Sequence, residues 1–122
     1  MTHMAHDELL ADAISHHDGG GVYIKETRIP AGIALVQHRH AFDHLAYLVS
    51  GSVELLVDGI TTHHEAPFCF NIEAGKHHGV KANVDSVWLC IWRTDVVDHD
   101  DARDGVILAP ATDMQAMARS ML

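Results

Sequence analysis

The residues with the most chemistry in this chain fall in one stretch. Gly32 to Gly51 reads Gly-Ile-Ala-Leu-Val-Gln-His-Arg-His-Ala-Phe-Asp-His-Leu-Ala-Tyr-Leu-Val-Ser-Gly. Side chains alternate between the faces of a β-strand, so His38 and His40 point the same way. Three residues, Ala41 to Asp43, turn the chain before His44 opens a second apolar run. Two strands meeting at such a corner aim three imidazoles at one point, and imidazole is a common ligand for Zn, Fe, Ni and Cu. A second pair, His77-His78, follows the turn Glu73-Ala-Gly-Lys76. Adjacent strand residues face opposite ways, so only one of that pair points inward.

The chain holds 12 histidines, far more than one ion can use. His16-His17 fall in a Gly-bounded loop and His63-His64 on a polar run, and with His3, His6 and His99 they read as surface. Asp43 is aimed away from the face of its neighbour His44, which leaves it as a partner behind the ligands or a surface acid. Tyr47, Trp88 and Trp92 read as core or interface, although Trp88 and Trp92 share a face that can line a pocket.

The elements that must carry these residues are short. The chain has 122 residues, of which 48% are hydrophobic, enough for one domain with a modest core. Residues 6–15 place Leu10, Ala13 and Ile14 on one helical face, with Asp7 and Glu8 where a helix N-terminus favours acids. Ser15 to Gly21 reads as a flexible loop that ends this helix. Val22–Ile29 is a strand, and Pro30-Ala-Gly32 is a turn, with Pro suited to the first turn position and Gly to a positive φ. A strand from Ile33 to His40 follows. Further strands run over Leu45–Ser50, Val53–Val57, Ile60–Glu65, Pro67–Ile72, His77–Lys81 and Val87–Arg93, with Asp58-Gly59 as a hairpin turn. Asp95 to Gly105 is acidic and solvated. Val106 to Leu108 is a short buried strand, and Thr112 with Gln115 caps a final helix. The organisation is an N-terminal helix and loop over 1–20, a barrel over 21–110 and a C-terminal helix over 111–122. Many short strands separated by turns mean an all-β sandwich or barrel. Ile33, Leu35 and the Val87–Ile91 run form an outward apolar set. The terminal helices cover only part of it, which predicts a homodimer through sheet faces.

The net charge of −9 repels a phosphate backbone, so no nucleic-acid partner is expected. No segment has the length of a membrane span, so no membrane partner is expected, and the N-terminus lacks a signal-peptide core. Cys69 and Cys90 form no disulfide framework and read as small core residues, which suits a cytoplasmic protein.

The pattern Gly32-x5-His38-x-His40-x3-His44-x6-Gly51 resembles the first motif of the cupins. In that motif a Gly is followed by His-x-His, a Glu and a second Gly at these same spacings. His44 stands where the family has Glu. The second cupin motif ends in a Pro-x-Gly-x-x-His turn, which is similar to Glu73-x-Gly75-x-x-His78, with Glu73 in the proline place. The resemblance covers residues 21–94 and implies a cupin jelly-roll β-barrel with short N- and C-terminal helices, like the small single-domain cupins of bacteria and phages. It implies metal ligation by His38, His40, His44 and His78 and one divalent transition metal per chain, Fe, Mn, Ni, Co or Zn. Four neutral ligands leave the ion its full charge, a stronger Lewis acid than one held with a Glu. The expected function is a metal-dependent enzyme acting on a small oxygen-rich metabolite inside the barrel, by dioxygenase-, lyase- or isomerase-type chemistry. The alternative is a non-catalytic metal or small-ligand binding module, or an assembly component.

Overall fold

Period-two alternation of apolar and polar residues, interrupted by Gly turns, gives strands and hairpins and little else. The computed structural model describes residues 13–37, 43–75, 78–95 and 106–110. They form β1 (Ile14–Gly19), β2 (Val22–Ile29), β3 (Ile33–Gln37), β4 (His44–Ser50), β5 (Ser52–Val57), β6 (Ile60–Glu65), β7 (Phe68–Ile72), β8 (His78–Ala82), β9 (Ser86–Arg93) and β10 (Val106–Pro110). Two five-stranded sheets result, in the orders β1-β2-β9-β4-β7 and β10-β3-β8-β5-β6, and every pairing is antiparallel. Crossing repeatedly from one sheet to the other is the path of a jelly roll. The all-β expectation holds.

The sheets bury their inner faces against each other, and the register stacks that interior in layers. On the first sheet, Tyr23 pairs with Trp92, Lys25 with Cys90 and Thr27 with Trp88. Across β9, Cys90 pairs with Ala46 and Trp88 with Leu48, which puts His44 in the layer of Trp92 and Tyr23. On the second sheet, His78 pairs with Val57 and with Gln37, while Val80 pairs with Leu55 and Leu35. Tyr23, Leu35, Ala46, Leu48, Val53, Val80, Trp88 and Cys90 are all fully buried in the resulting core.

Two local expectations are corrected. Ile14–Gly19 is an edge strand paired with β2, where the sequence suggests a helix end and a loop. Gly20 and Gly21, with φ of 62° and 81°, close a two-residue hairpin, so the glycines turn the chain back on itself. The rest of that helix, and the C-terminal helix over 111–122, lie outside the described residues. Leu35 is not outward: it is fully buried opposite Val80, and Ile33 packs against the same core. The histidines on which the inner face was set, His38 and His40, follow the described span of β3, Ile33–Gln37, and lie outside the described residues. Pro30 opens the expected turn, its carbonyl accepting the N–H of Ile33 at 3.0 Å, and Gly32 takes a φ of 81°.

Gly51, the second glycine of the motif, joins β4 to β5 with φ of 103°. A Cβ there would lie 2.1 Å from Ser86 Oγ and 2.8 Å from Ser86 Cα. Both the backbone conformation and the close approach require glycine. Gly51→Ala is expected to cost about 2–4 kcal/mol, combining left-handed strain with overpacking. A denaturant melt indistinguishable from wild type would contradict this.

Candidate metal centre

His44 is the first residue of β4 and His78 the first residue of β8, each placed where a strand enters the barrel wall. They come from opposite sheets and meet inside. Both are buried, and their ring centroids are 5.7 Å apart with planes inclined at 51°. The Nδ1 of His44 lies 3.1 Å from the carbonyl oxygen of Leu45. A carbonyl only accepts, so Nδ1 donates its proton, and in the neutral ring Nε2 then carries the lone pair. That is the tautomer a metal-ligating imidazole takes when its far nitrogen is held by a backbone carbonyl.

The ring of His44 is backed by aromatic packing. Trp92 lies 4.5 Å from it centroid to centroid, and Tyr23 stacks on Trp92 at 5.6 Å. Tyr23 is held in turn by His16, whose Nδ1 is 2.7 Å from the phenol oxygen. Burial by large rigid rings restricts His44 to few rotamers and keeps water off one side of it. Asp43 is exposed and acts on the neighbouring turn: its Oδ1 accepts the backbone N–H of Ala74 at 2.7 Å. The corner before His44 is thereby tied to the Glu73–Gly75 turn that leads toward His78.

Of the four predicted ligands, the structure brings His44 and His78 together. His38 and His40 lie outside the described residues, as does His77. Gln37, which precedes His38, pairs with His78. Among the described residues, no three His, Cys, Asp or Glu side chains come together as a metal-holding group. The donor chemistry present still fits a borderline divalent ion, since two buried imidazoles from separate strands are ligands of that class.

One interior residue was not singled out from sequence. Lys25 is fully buried, on the same face of β2 as Tyr23, Thr27 and Ile29, and its Nζ lies 5.6 Å from the Trp92 ring centroid. The signal was present: strict alternation over Val22–Ile29 puts Lys25 on the apolar face. Cys90, its register partner, is buried, and that burial pushes the thiol above its ordinary range against the pull of the Lys25 charge, so it stays protonated. Cys69, expected in the core, is exposed on β7.

The remaining described histidines are peripheral. His17 reaches Glu26 on the outer face of the first sheet. His64 is half-buried and stacks on Phe68 at 4.1 Å, so it does not simply face solvent. His63 does: its Nδ1 is 3.1 Å from both carboxylate oxygens of Glu54 and its Nε2 is 3.2 Å from Glu65. Hydrogen bonds to Glu54 first and Glu65 second raise its pKa above 6.5. A raised value in the folded state means the interaction stabilises fully below 6.5 and is lost as pH rises through the folded value. Glu54→Gln is expected to bring the His63 midpoint back toward the ordinary value in an NMR titration, leaving metal content unchanged. A midpoint that does not move would contradict the assigned cause.

No family model matches the chain, and no curated protein matches it. Solved structures do. KdgF from a Halomonas species superposes with a TM-score of 0.58 at 19% identity, over 69% of this chain and 82% of that one. A cupin 2 conserved barrel domain protein from Salinispora arenicola gives a TM-score of 0.59 at 16% identity, over 74% and 82%. Salicylate 1,2-dioxygenase from Pseudoaminobacter salicylatoxidans gives 0.62 at 10% identity; the match spans 82% of this chain but only 29% of that enzyme. At such identities the likeness is one of fold.

Proposed function

We propose that this chain, a small cupin by its fold, holds one divalent transition metal at the end of the barrel where His44 and His78 face each other, and acts on a small oxygen-rich metabolite bound there. The observation that carries this reading is the pair of buried imidazoles, one from each sheet, with ring centroids 5.7 Å apart. His38 and His40 would complete the ligand set. A bound ion would supply Lewis acidity toward a substrate offering two oxygens, in reactions of the dioxygenase, lyase or isomerase type.

The chain's own residues prepare the site. The Leu45 carbonyl sets the tautomer of His44. Trp92 and Tyr23 immobilise its ring and exclude water from one side. Asp43 holds the two entering loops together through Ala74. Both cysteines are thiols, which fits a reducing compartment such as the cytoplasm. No helix among the described residues is long and apolar enough to cross a membrane.

The purified protein is expected to carry close to one transition-metal ion per chain by elemental analysis. His44→Ala and His78→Ala should each reduce this to a small fraction. Metal at about a hundred times its dissociation constant should add roughly 2.7 kcal/mol to the stability of the wild type, removable by chelator. Full metal content in both variants would overturn the site. Turnover by the loaded protein of diketones, keto acids or hydroxynitriles supports an enzyme. Ligand binding without turnover across that panel favours a binding module.

We also propose that two copies pair through the outer face of the first sheet. Val87, Leu89 and Ile91 are only half-buried there, beside Leu45 and Val49, which are 46% and 45% exposed. Light scattering at micromolar concentration should give twice the mass of 13.4 kDa, and Leu45→Glu with Val49→Glu should give the monomer. A wild-type monomer would contradict the pairing.

A further inference from the structure

Four rings cross the inner face of the first sheet in a row from β4 to β1. Trp92 on β9 lies 4.5 Å from His44, and Tyr23 on β2 stacks on Trp92 at 5.6 Å with planes inclined at 22°. His16 on β1 stacks on Tyr23 at 5.9 Å, and its Nδ1 is 2.7 Å from the phenol oxygen. His44, Trp92 and Tyr23 are buried, whereas His16 is exposed. Successive contacts therefore join the candidate metal centre to solvent. We propose that Trp92, Tyr23 and His16 form an exit for oxidising equivalents from the histidine end, with the electron relayed through the two rings and the phenol proton taken by His16. This rests on the reading that chemistry of the dioxygenase type takes place at His44 and His78, and what the exit discharges is a one-electron oxidant derived from dioxygen.

The kinds of ring and their order carry it. Indole and phenol give up an electron far more readily than a phenyl ring. Among the described residues both phenylalanines, Phe68 and Phe70, lie on β7, while both rings between His44 and His16 are of the oxidisable kind. Packing alone would be served by Phe at position 23, which would bury no hydroxyl. A phenol that loses an electron becomes a strong acid, so a base must stand within hydrogen-bond reach of its proton. His16 Nδ1 stands there, on the side away from Trp92. The steps balance as follows. Trp92 gives one electron to the oxidant and becomes an indole radical cation. Tyr23 gives one electron to Trp92 and restores it, while the phenol O–H bond breaks and the proton passes to Nδ1. A neutral tyrosyl radical remains, hydrogen-bonded to an imidazolium that faces solvent. A soluble reductant of the thiol or ascorbate class returns one electron, and His16 returns the proton.

The test places a photo-oxidant at the histidine end of the metal-free full chain. Ile60 is 69% exposed and shares the layer of His78 through Val57. Ile60→Cys, combined with Cys69→Ser, carries a thiol-linked ruthenium polypyridyl there, and the buried Cys90 stays unlabelled. The chain has two tyrosines, so Tyr47→Phe in the same background leaves Tyr23 as the source of any tyrosyl signal. Flash-quench oxidation of this protein is expected to give a neutral tyrosyl radical by electron paramagnetic resonance. Adding Trp92→Phe or His16→Phe should each cut its yield at least about tenfold, the scale set by losing one hydrogen bond or one relay ring. Because Trp92→Phe can fail to fold, the wild type is also read by nitrogen NMR in alkaline buffer, where the His16 Nδ1 should carry the lone pair. No tyrosyl radical, a yield that survives both substitutions, or a proton on that Nδ1 would each overturn the proposal. Metal content is read separately. A tyrosyl radical in a chain that takes up no metal removes the metal reading and keeps the relay. Metal uptake with no tyrosyl radical does the reverse.

Discussion

Two imidazoles from opposite sheets meet in the interior only because β4 and β8 begin at the same level of the barrel. That coincidence of level is a matter of register. In an antiparallel sheet a slip of one residue sends every side chain of the slipped strand to the other face, so a slip of either β4 or β8 would break up the pair. The register is locked on both sides by the same alternation that packs the core. Leu48 against Trp88 fixes β4, and Val80 between Leu35 and Leu55 fixes β8. The site is thus specified by residues that never touch it.

The polar groups inside come at a cost. Burying a hydroxyl or an amide-like group without full compensation costs roughly 1–3 kcal/mol, and a charge costs more. A chain of this size has a stability of the order of 5–15 kcal/mol to spend. Core residues chosen for packing alone would not include Lys25, Thr27, His44 and His78, when Leu or Val would serve. On β2 and its neighbours they fall in successive inward layers, His44 level with Tyr23, then Lys25, then Thr27. Toward the opposite end, Ile29, Val53 and Ala82 belong to the apolar core, with the buried Ser86 paired to Ile29. Gly51 and Ser86 close that end tightly.

Much of this was legible in the sequence because period-two patterning and turn chemistry are local. Asp58-Gly59, Gly51 and the alternation in Val22–Ile29 each announce a strand or a hairpin from a few neighbours. Histidine spacing likewise pointed to His44 and His78. What failed was face and context. Ala34 and Leu35 are both apolar and both buried, so alternation alone does not say which faces inward. The Gly-rich stretch after Ser15 looked like a helix terminator because a glycine pair marks a loop and a hairpin equally well. Lys25 was passed over for a related reason. A lysine in a strand is ordinarily solvent-facing, and only the burial of Tyr23 and Thr27 on either side reveals that it is not.

The central claim is that imidazoles from both sheets grip one ion. X-ray absorption at the edge of the metal bound to the purified protein tests it most directly. The account predicts at least three nitrogen scatterers near 2.0–2.1 Å with the outer-shell pattern of imidazole rings, reduced when His44 and His78 are replaced. A first shell made of oxygen alone, or one unchanged by those replacements, would contradict it.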